Sequence, residues 1–311
     1  MLRLAFLFPG QGSQYPGMGK EIADTYPEAA LVFKNADEIL GYKLSELCFA
    51  GPAEVLNQTE YAQPAILTCS LAILQVVKKL GFAAEMLAGL SLGEYTALVA
   101  AGALSFAEAL PLVQFRGRLM QEAVPPGQGA MAAVLGLDNA KVDEICLQTE
   151  GYVAVANYNC PAQLVISGEK EAVDKAGTIL KEAGAKVVPL AVTVPSHCQL
   201  MYKASLQLKD RLEKLNWREP EQPVVSNVNG RENPAHTAAK MLVHQLYSPV
   251  RWEESIRYML DRVDYFVEIG PGSSLSGLVK RIDRERMLGH VEDLKSLEKV
   301  KEKVEKLCRD K

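Results

Sequence analysis

The stretch Ala88-Gly89-Leu90-Ser91-Leu92-Gly93-Glu94-Tyr95 places one hydroxyl between two leucines and two glycines, directly after the apolar run Met86-Leu87-Ala88. The pattern is G-x-S-x-G at a strand-to-helix junction. A sharp turn there holds the serine in a strained conformation with its hydroxyl exposed at the sheet edge, and small flanking residues leave room for the turn. The backbone N–H of Leu92 then lies at a helix N-terminus, where it can donate to a developing oxyanion. Ser91 is the candidate nucleophile; the alternative is a serine that merely caps the following helix.

A nucleophilic serine needs a base, and the chain has four histidines. His236 lies in the polar turn after Asn233 and Pro234, His244 within a helical pattern, and His290 near the charged tail. His197 is different: it follows a strand and a proline in Val192-Thr193-Val194-Pro195-Ser196-His197-Cys198, the kind of strand-end loop from which a scaffold presents catalytic groups. A histidine held by structural partners is the alternative. No carboxylate between positions 91 and 197 stands out as a third member, so a Ser91–His197 dyad is the simpler reading.

The third signal is electrostatic. In the helical pattern 106–123, Arg116 has Leu112 and Val113 behind it and Leu119 and Met120 ahead, so a charge interrupts the apolar face. Arg118 has Gln114, Phe115, Gln121 and Glu122 in the same places, as a solvated residue would. A guanidinium on a buried stripe cannot shed its charge, and its planar fork suits a carboxylate. That anion is either an internal Asp or Glu or the carboxylate of a substrate beside the serine.

The loop Pro9-Gly10-Gln11-Gly12-Ser13-Gln14 invites a phosphate reading and fails it. A dinucleotide pattern needs glycine where Tyr15 stands, and a P-loop ending at Gly19-Lys20 needs glycine at Gln14 and Ser or Thr at Glu21. What survives is a glycine-rich backbone with N–H groups able to face an anion, as a second oxyanion donor or simply as a tight turn.

These residues need elements to hold them. Alternation of apolar runs and helical patterns predicts strands at 2–8, 84–89, 223–227 and 264–270, and helices near 27–40, 62–80, 92–101, 105–123, 235–247 and 252–262. Ser105-Phe106-Ala107-Glu108 reads as a capping box. The order predicts an α/β fold: a hydrolase-like core with a mostly parallel sheet. Between 128 and 192 the rhythm changes to strand, helix, two strands, helix, strand, the βαββαβ order of a ferredoxin-like unit. The expected domains are 1–126 with 194–311 as the core and 127–193 as an inserted ferredoxin-like subdomain. The Lys/Glu-rich tail 292–311, with Leu294, Leu297, Val300, Val304 and Leu307 at helical spacing, reads as a surface helix packed on the core or as a partner-binding helix.

Composition sets outer bounds. With 311 residues, 48% of them hydrophobic, the chain can bury a large core. A net charge of −4 supplies no basic field to recruit nucleic acid or an anionic membrane. The apolar stretch before Pro9 is too short for a signal sequence or a span, so a soluble cytoplasmic protein is expected. Six scattered cysteines form neither a CxxC pair nor a ligand cluster, which predicts no metal site and reduced thiols.

Together these residues resemble one family. Phe8-Pro9-Gly10-Gln11-Gly12-Ser13-Gln14, Gly89-x-Ser91-Leu92-Gly93-Glu94-Tyr95, Arg116-Gly117, Ala156-Asn157 with Cys160-Pro161, Val194-Pro195-Ser196-His197-Cys198, Gln245-Leu246-Tyr247 with Pro249-Val250, and Glu268-Ile269-Gly270-Pro271-Gly272 occur in the order of the malonyl-CoA:acyl carrier protein transacylases, over about residues 3–284. The resemblance implies a malonyl-serine intermediate on Ser91 and a ping-pong transfer from malonyl-CoA to the phosphopantetheine thiol of acyl carrier protein, for fatty acid synthesis. His197 would be general base and then acid, the backbone carbonyl of Gln245 would orient it, and the N–H groups of Gln11 and Leu92 would form the oxyanion hole. Arg116 would hold the malonyl carboxylate, with Leu90, Asn157 and Ser196 also lining the substrate site, and the inserted subdomain would cover the cleft.

No cofactor is implied beyond the coenzyme A thioester and the partner's phosphopantetheine, and a monomer is expected. The family usually has histidine where Leu90 stands; because His197 supplies the base, transacylation should persist with altered rate or acyl preference. Three other readings remain: a free-standing acyltransferase of a polyketide synthase, a serine acyl hydrolase, and a non-catalytic scaffold. Lys280, Arg281, Arg284 and Arg286 are the densest basic cluster and the candidate dock for an acidic carrier.

Overall fold

The computed structural model describes residues 2–190 and 194–309. Two sheets organise the chain. The first takes β1 (Leu4–Phe8), β2 (Met86–Gly89), β7 (Val224–Val225), β8 (Tyr265–Ile269) and β9 (Met287–Val291) in the order β7-β2-β1-β8-β9, with every pairing parallel.

A parallel sheet is covered on both faces, so its strands are apolar throughout rather than alternating. All five residues of β1 are buried. Leu4, Phe6 and Phe8 pack into one apolar cluster under the helices Thr59–Lys79 and Phe106–Glu122, while Ala5 and Leu7 join a second one with Trp252, Ile256, Leu275 and Val279 on the opposite face. Thr59–Lys79 is long and apolar enough to span a bilayer, but 83% of its apolar window lies inside the protein, where it is the central core helix.

The second sheet comprises β3 (Gly129–Leu135), β4 (Val153–Cys160), β5 (Gln163–Glu169) and β6 (Lys186–Pro189), antiparallel in the order β4-β5-β3-β6. The helices Asn139–Gln148 and Lys170–Glu182 fill its outer face around Val142, Ile145, Val173 and Leu180. This is the ferredoxin-like unit that the βαββαβ order predicted. The predicted last strand runs on to 192, and its end lies outside the described residues. β4 is tied to the core by an isolated bridge outside both sheets: Tyr158 N donates to Val250 O (2.9 Å) and Val250 N to Ala156 O (2.8 Å).

Several elements differ from the sequence reading. The predicted strand 223–227 shrinks to Val224–Val225, because Ser226 and Asn227 leave the ladder to hold other groups. β9 was not foreseen, since Gly289 and His290 break its apolar run. The helices Tyr202–Leu212 and Ser274–Ile282 also went unread. The tail helix Leu294–Arg309 packs Leu297, Val300 and Val304 onto the core, as the surface-helix reading expected.

Candidate active site

The site lies at the carboxyl ends of β1 and β2, at the point where the strand order runs to either side of β1. Ser91 sits between β2 and the helix Leu92–Ala100 with φ 54° and ψ −104°, outside the regions an L-residue prefers. The glycines make that possible: a Cβ on Gly89 would lie 2.0 Å from the carbonyl of Gly93, and one on Gly93 would lie 2.1 Å from the carbonyl oxygen of Phe8. The turn is also tied from outside. Ser91 N donates to Asn227 Oδ1 (2.6 Å), and Asn227 Nδ2 donates to Gly89 O (2.7 Å).

His197, also at positive φ (60°), reaches Ser91 Oγ with Nε2 at 2.8 Å. Its Nδ1 lies 2.8 Å from the backbone oxygen of Gln245, an acceptor only, so Nδ1 carries the proton and Nε2 is free to accept the serine's. Burial, then the positive charge of Arg116, pulls the imidazole down from its ordinary value to about 4, which keeps it neutral near pH 7.

Arg116 is buried at 1% exposure on the helix Phe106–Glu122. Its Nη1 donates to Gln63 Oε1 (2.9 Å), and its Nη2 to Ser91 Oγ (3.1 Å) and Gln245 Oε1 (3.1 Å). The Nε has no partner, and among the described residues no carboxylate pairs with the guanidinium. Arg118, two positions on, is exposed and bridges to Glu60. A buried cation whose contacts are neutral acceptors and the ring of Tyr95 (5.2 Å to its centroid) has an unmet demand for an anion, and this one points at the candidate nucleophile's oxygen.

The remaining candidates fall at different depths. Leu92 N and Gln11 N donate to no acceptor among the described residues, and the loop carrying Gln11 packs closely on the elbow: a Cβ on Gly10 would lie 2.5 Å from Leu90 O. Leu90 is half-buried beside this loop. Ser196 adjoins His197, but its hydroxyl contacts Met131 Sδ of β3 (3.4 Å). Asn157 is buried on β4 opposite Val250, and no hydrogen bond joins its side chain to Ser91, His197 or Arg116.

The description of one protein family, the acyl transferase domain, matches residues 5–305. The chain belongs to the acyl transferase family. It is 48% identical over 304 residues to the malonyl CoA-acyl carrier protein transacylase of Bacillus subtilis (strain 168), covering 96% of each chain. The solved malonyl CoA-acyl carrier protein transacylase of Clostridium perfringens superposes with a TM-score of 0.95 at 44% identity, over 98% of each chain. A malonyl-transacylase solved in complex with a type II polyketide synthase acyl-carrier protein gives a TM-score of 0.93 at 45% identity, over 96% of this chain and 98% of that one.

Around this candidate site, three side chains carry no mark in the sequence reading. Gln63 and Asn227 sit in stretches with no special pattern, so nothing in the sequence singled them out. Glu94 is fully buried beneath the elbow; its Oε2 accepts from Gln245 Nε2 (2.8 Å) and Asn227 N (3.0 Å), and its Oε1 from Asn233 Nδ2 (3.4 Å). Burial raises its carboxyl from the ordinary value to about 6, against the pull of these donors. Its place in the first turn of a helix is ordinary for an acidic residue, so its burial could not be read from the sequence.

Proposed function

We propose that this chain is a malonyl-CoA:acyl carrier protein transacylase serving fatty acid synthesis, working as a soluble cytoplasmic monomer by a ping-pong route through a malonyl-serine. The observation that carries the reading is Arg116: a buried guanidinium without an internal carboxylate, donating to the very oxygen that must attack. Its family membership supports the same reading.

The chemistry follows from the contacts. His197 Nε2 takes the proton of Ser91 Oγ as that oxygen bonds to the thioester carbonyl carbon. The carbonyl oxygen gains the negative charge and is held by the N–H groups of Gln11 and Leu92. Collapse breaks the C–S bond, and the coenzyme A thiolate leaves with the proton from His197. In the second half the phosphopantetheine thiol gives its proton to His197, attacks the acyl ester and displaces Ser91 Oγ, which recovers the proton. No acidic third member is needed, because the Gln245 carbonyl already fixes the imidazole.

Arg116 Nη2 and its unpartnered Nε take the free carboxylate of malonyl, selecting it over acetyl, since a neutral acyl group leaves the guanidinium unpaired. Leu90, Asn157 and Ser196 line the acyl and pantetheine path. Residues 1–126 with 194–311 act as the core and 127–193 as the subdomain roofing the cleft.

The discriminating experiment replaces Arg116 with Ala and compares acylation by malonyl-CoA and acetyl-CoA. The transacylase reading expects malonyl acylation to fall about 100-fold or more, the cost of a lost charge-assisted contact made in the transition state, with acetyl acylation much less affected. Equal loss for both substrates would leave a general serine hydrolase as the better description.

A further inference from the structure

Arg116 is buried without an ion pair, yet the protein tolerates it. The compensation lies one carboxamide away. Gln245 points its Nε2 at Glu94 Oε2 (2.8 Å) and Ser91 O (2.9 Å), and its Oε1 at Arg116 Nη2 (3.1 Å). This orientation is the one the surroundings allow, because the opposite flip would set the amide oxygen against a carboxylate and a carbonyl. The groups that touch Glu94 donate to it: Asn227 N–H, Gln245 Nε2, Asn233 Nδ2 and the Ser226 hydroxyl. Three of these four groups can only donate, and the Ser226 hydroxyl alone could accept from a protonated Glu94, so the donor set favours the anion against the cost of its burial. The result is a buried carboxylate and a buried guanidinium polarising one amide from its two ends.

We propose that Glu94 is a positioning residue for the acyl transfer: the remote counter-charge of Arg116, tempering through the Gln245 carboxamide how tightly the guanidinium holds an acyl chain that ends in a carboxylate. This rests on the reading of Arg116 as the malonyl carboxylate's partner. A direct Glu–Arg pair would occupy the fork and exclude the substrate; a pair separated by an amide offsets the charge and leaves Nε and part of Nη2 free. Removing the negative charge would strengthen the grip on malonyl and leave a neutral acyl group unaffected, which is the opposite of what a merely structural loss would do.

The charged and titrating groups facing this network are few. Arg116 stays charged, His197 is held at about 4, and Tyr95 beside Glu94 is pushed up to about 12, so Glu94 at about 6 is the group that changes charge between those limits. Ser226, Asn227, Asn233 and Gln245 are neutral.

The test measures dissociation constants for malonyl-CoA and acetyl-CoA by titration calorimetry on the Ser91→Ala background, so that no acyl-enzyme forms. Adding Glu94→Gln, which keeps the shape and removes the charge, should tighten malonyl-CoA about fivefold, the lower end of ordinary coupling between sites, and leave acetyl-CoA unchanged. Without the Glu94 substitution, the malonyl-to-acetyl affinity ratio should rise by a similar factor from about pH 7.5 to about pH 5.5 as Glu94 gains its proton, and this pH arm stands even where the variant fails to fold. The shared coenzyme A moiety cancels in the ratio. Unchanged or equally weakened affinity for both thioesters in Glu94→Gln, or a ratio flat with pH, overturns the proposal. Arg116→Gln separates the two levels: if it does not lower malonyl affinity relative to acetyl, the reading of Arg116 falls first; if it does and Glu94→Gln has no effect, only the coupling falls.

Discussion

Three side chains could be found in the sequence because each violates its surroundings: a serine between glycines, a histidine at a strand end, an arginine on an apolar stripe. Glu94 could not, since an acidic residue in the first turn of a helix is what the helix dipole favours anyway, and only the packing of Asn227, Asn233 and Gln245 around it shows that it is buried. Replacing His197 with Ala should slow acylation about 10²- to 10⁴-fold, the usual worth of a positioned general base, as read by single-turnover mass spectrometry. Leu90 takes no part in the proton path, so malonyl transfer should proceed with leucine in place and change in rate under Leu90→His; an inactive native protein restored by that substitution would contradict this. His197 also carries a stability signature. Its pKa falls from 6.5 to about 4 on folding, so the unfolded chain binds the proton first, and stability present above pH 6.5 is lost as pH drops toward 4. Glu94, raised from 4.5 to about 6, has the opposite sign: its contribution is present below pH 4.5 and lost as pH rises through 6. The Tm advantage of His197→Gln over the native chain should therefore grow as pH falls from 6.5 to 4, and a pH-independent difference would refute the assignment of a buried neutral imidazole.

At the scale of elements, long apolar runs such as β1 and the helix Thr59–Lys79 were legible because burial on all sides leaves no other composition. The short strands were not: β7 has two residues, and β9 includes Gly289 at φ 157° against Val300 of the tail helix. Tertiary pairing makes these strands, with little local preference to announce them. The elbow offers the sharpest test of backbone crowding. Gly93→Ala puts a Cβ 2.1 Å from Phe8 O, and because backbone cannot step aside the way a side chain can, it should cost about 3 kcal/mol in denaturant unfolding and displace Ser91. Gly277, on the helix Ser274–Ile282 with nothing within 4 Å of its would-be Cβ, is the contrast; Gly277→Ala should stabilise by about 0.5–1 kcal/mol through helix propensity. Similar effects at the two positions would mean that the close approach of β1 and the elbow is not what demands glycine.

For the whole molecule, the order of elements was enough to predict a parallel core and a ferredoxin-like unit, but not how they join. The link runs through Asn157 and Val250, two residues far apart in sequence whose pairing no local pattern encodes. The basic cluster needs a correction of the same kind. Arg286 donates to the backbone oxygens of Asp264 and Leu260 and is partly buried, so it braces the fold, while Lys280, Arg281 and Arg284 remain exposed near the end of the helix Ser274–Ile282. Reversing the charge at Lys280 and Arg281 should raise KM for an acidic carrier protein several-fold and leave acylation by malonyl-CoA unchanged, since steering charges act on encounter and not on the buried site. An unchanged carrier KM would remove this surface from the docking model.

The central claim, a malonyl group carried on Ser91 between two thiols, is tested most directly by intact-protein mass spectrometry after mixing with malonyl-CoA, beside Ser91→Ala, followed by addition of acyl carrier protein. The account predicts a single malonyl adduct on the native chain, none on the variant, and its quantitative passage to the carrier. An adduct that decays in water without reaching the carrier, or one that persists in Ser91→Ala, would contradict it.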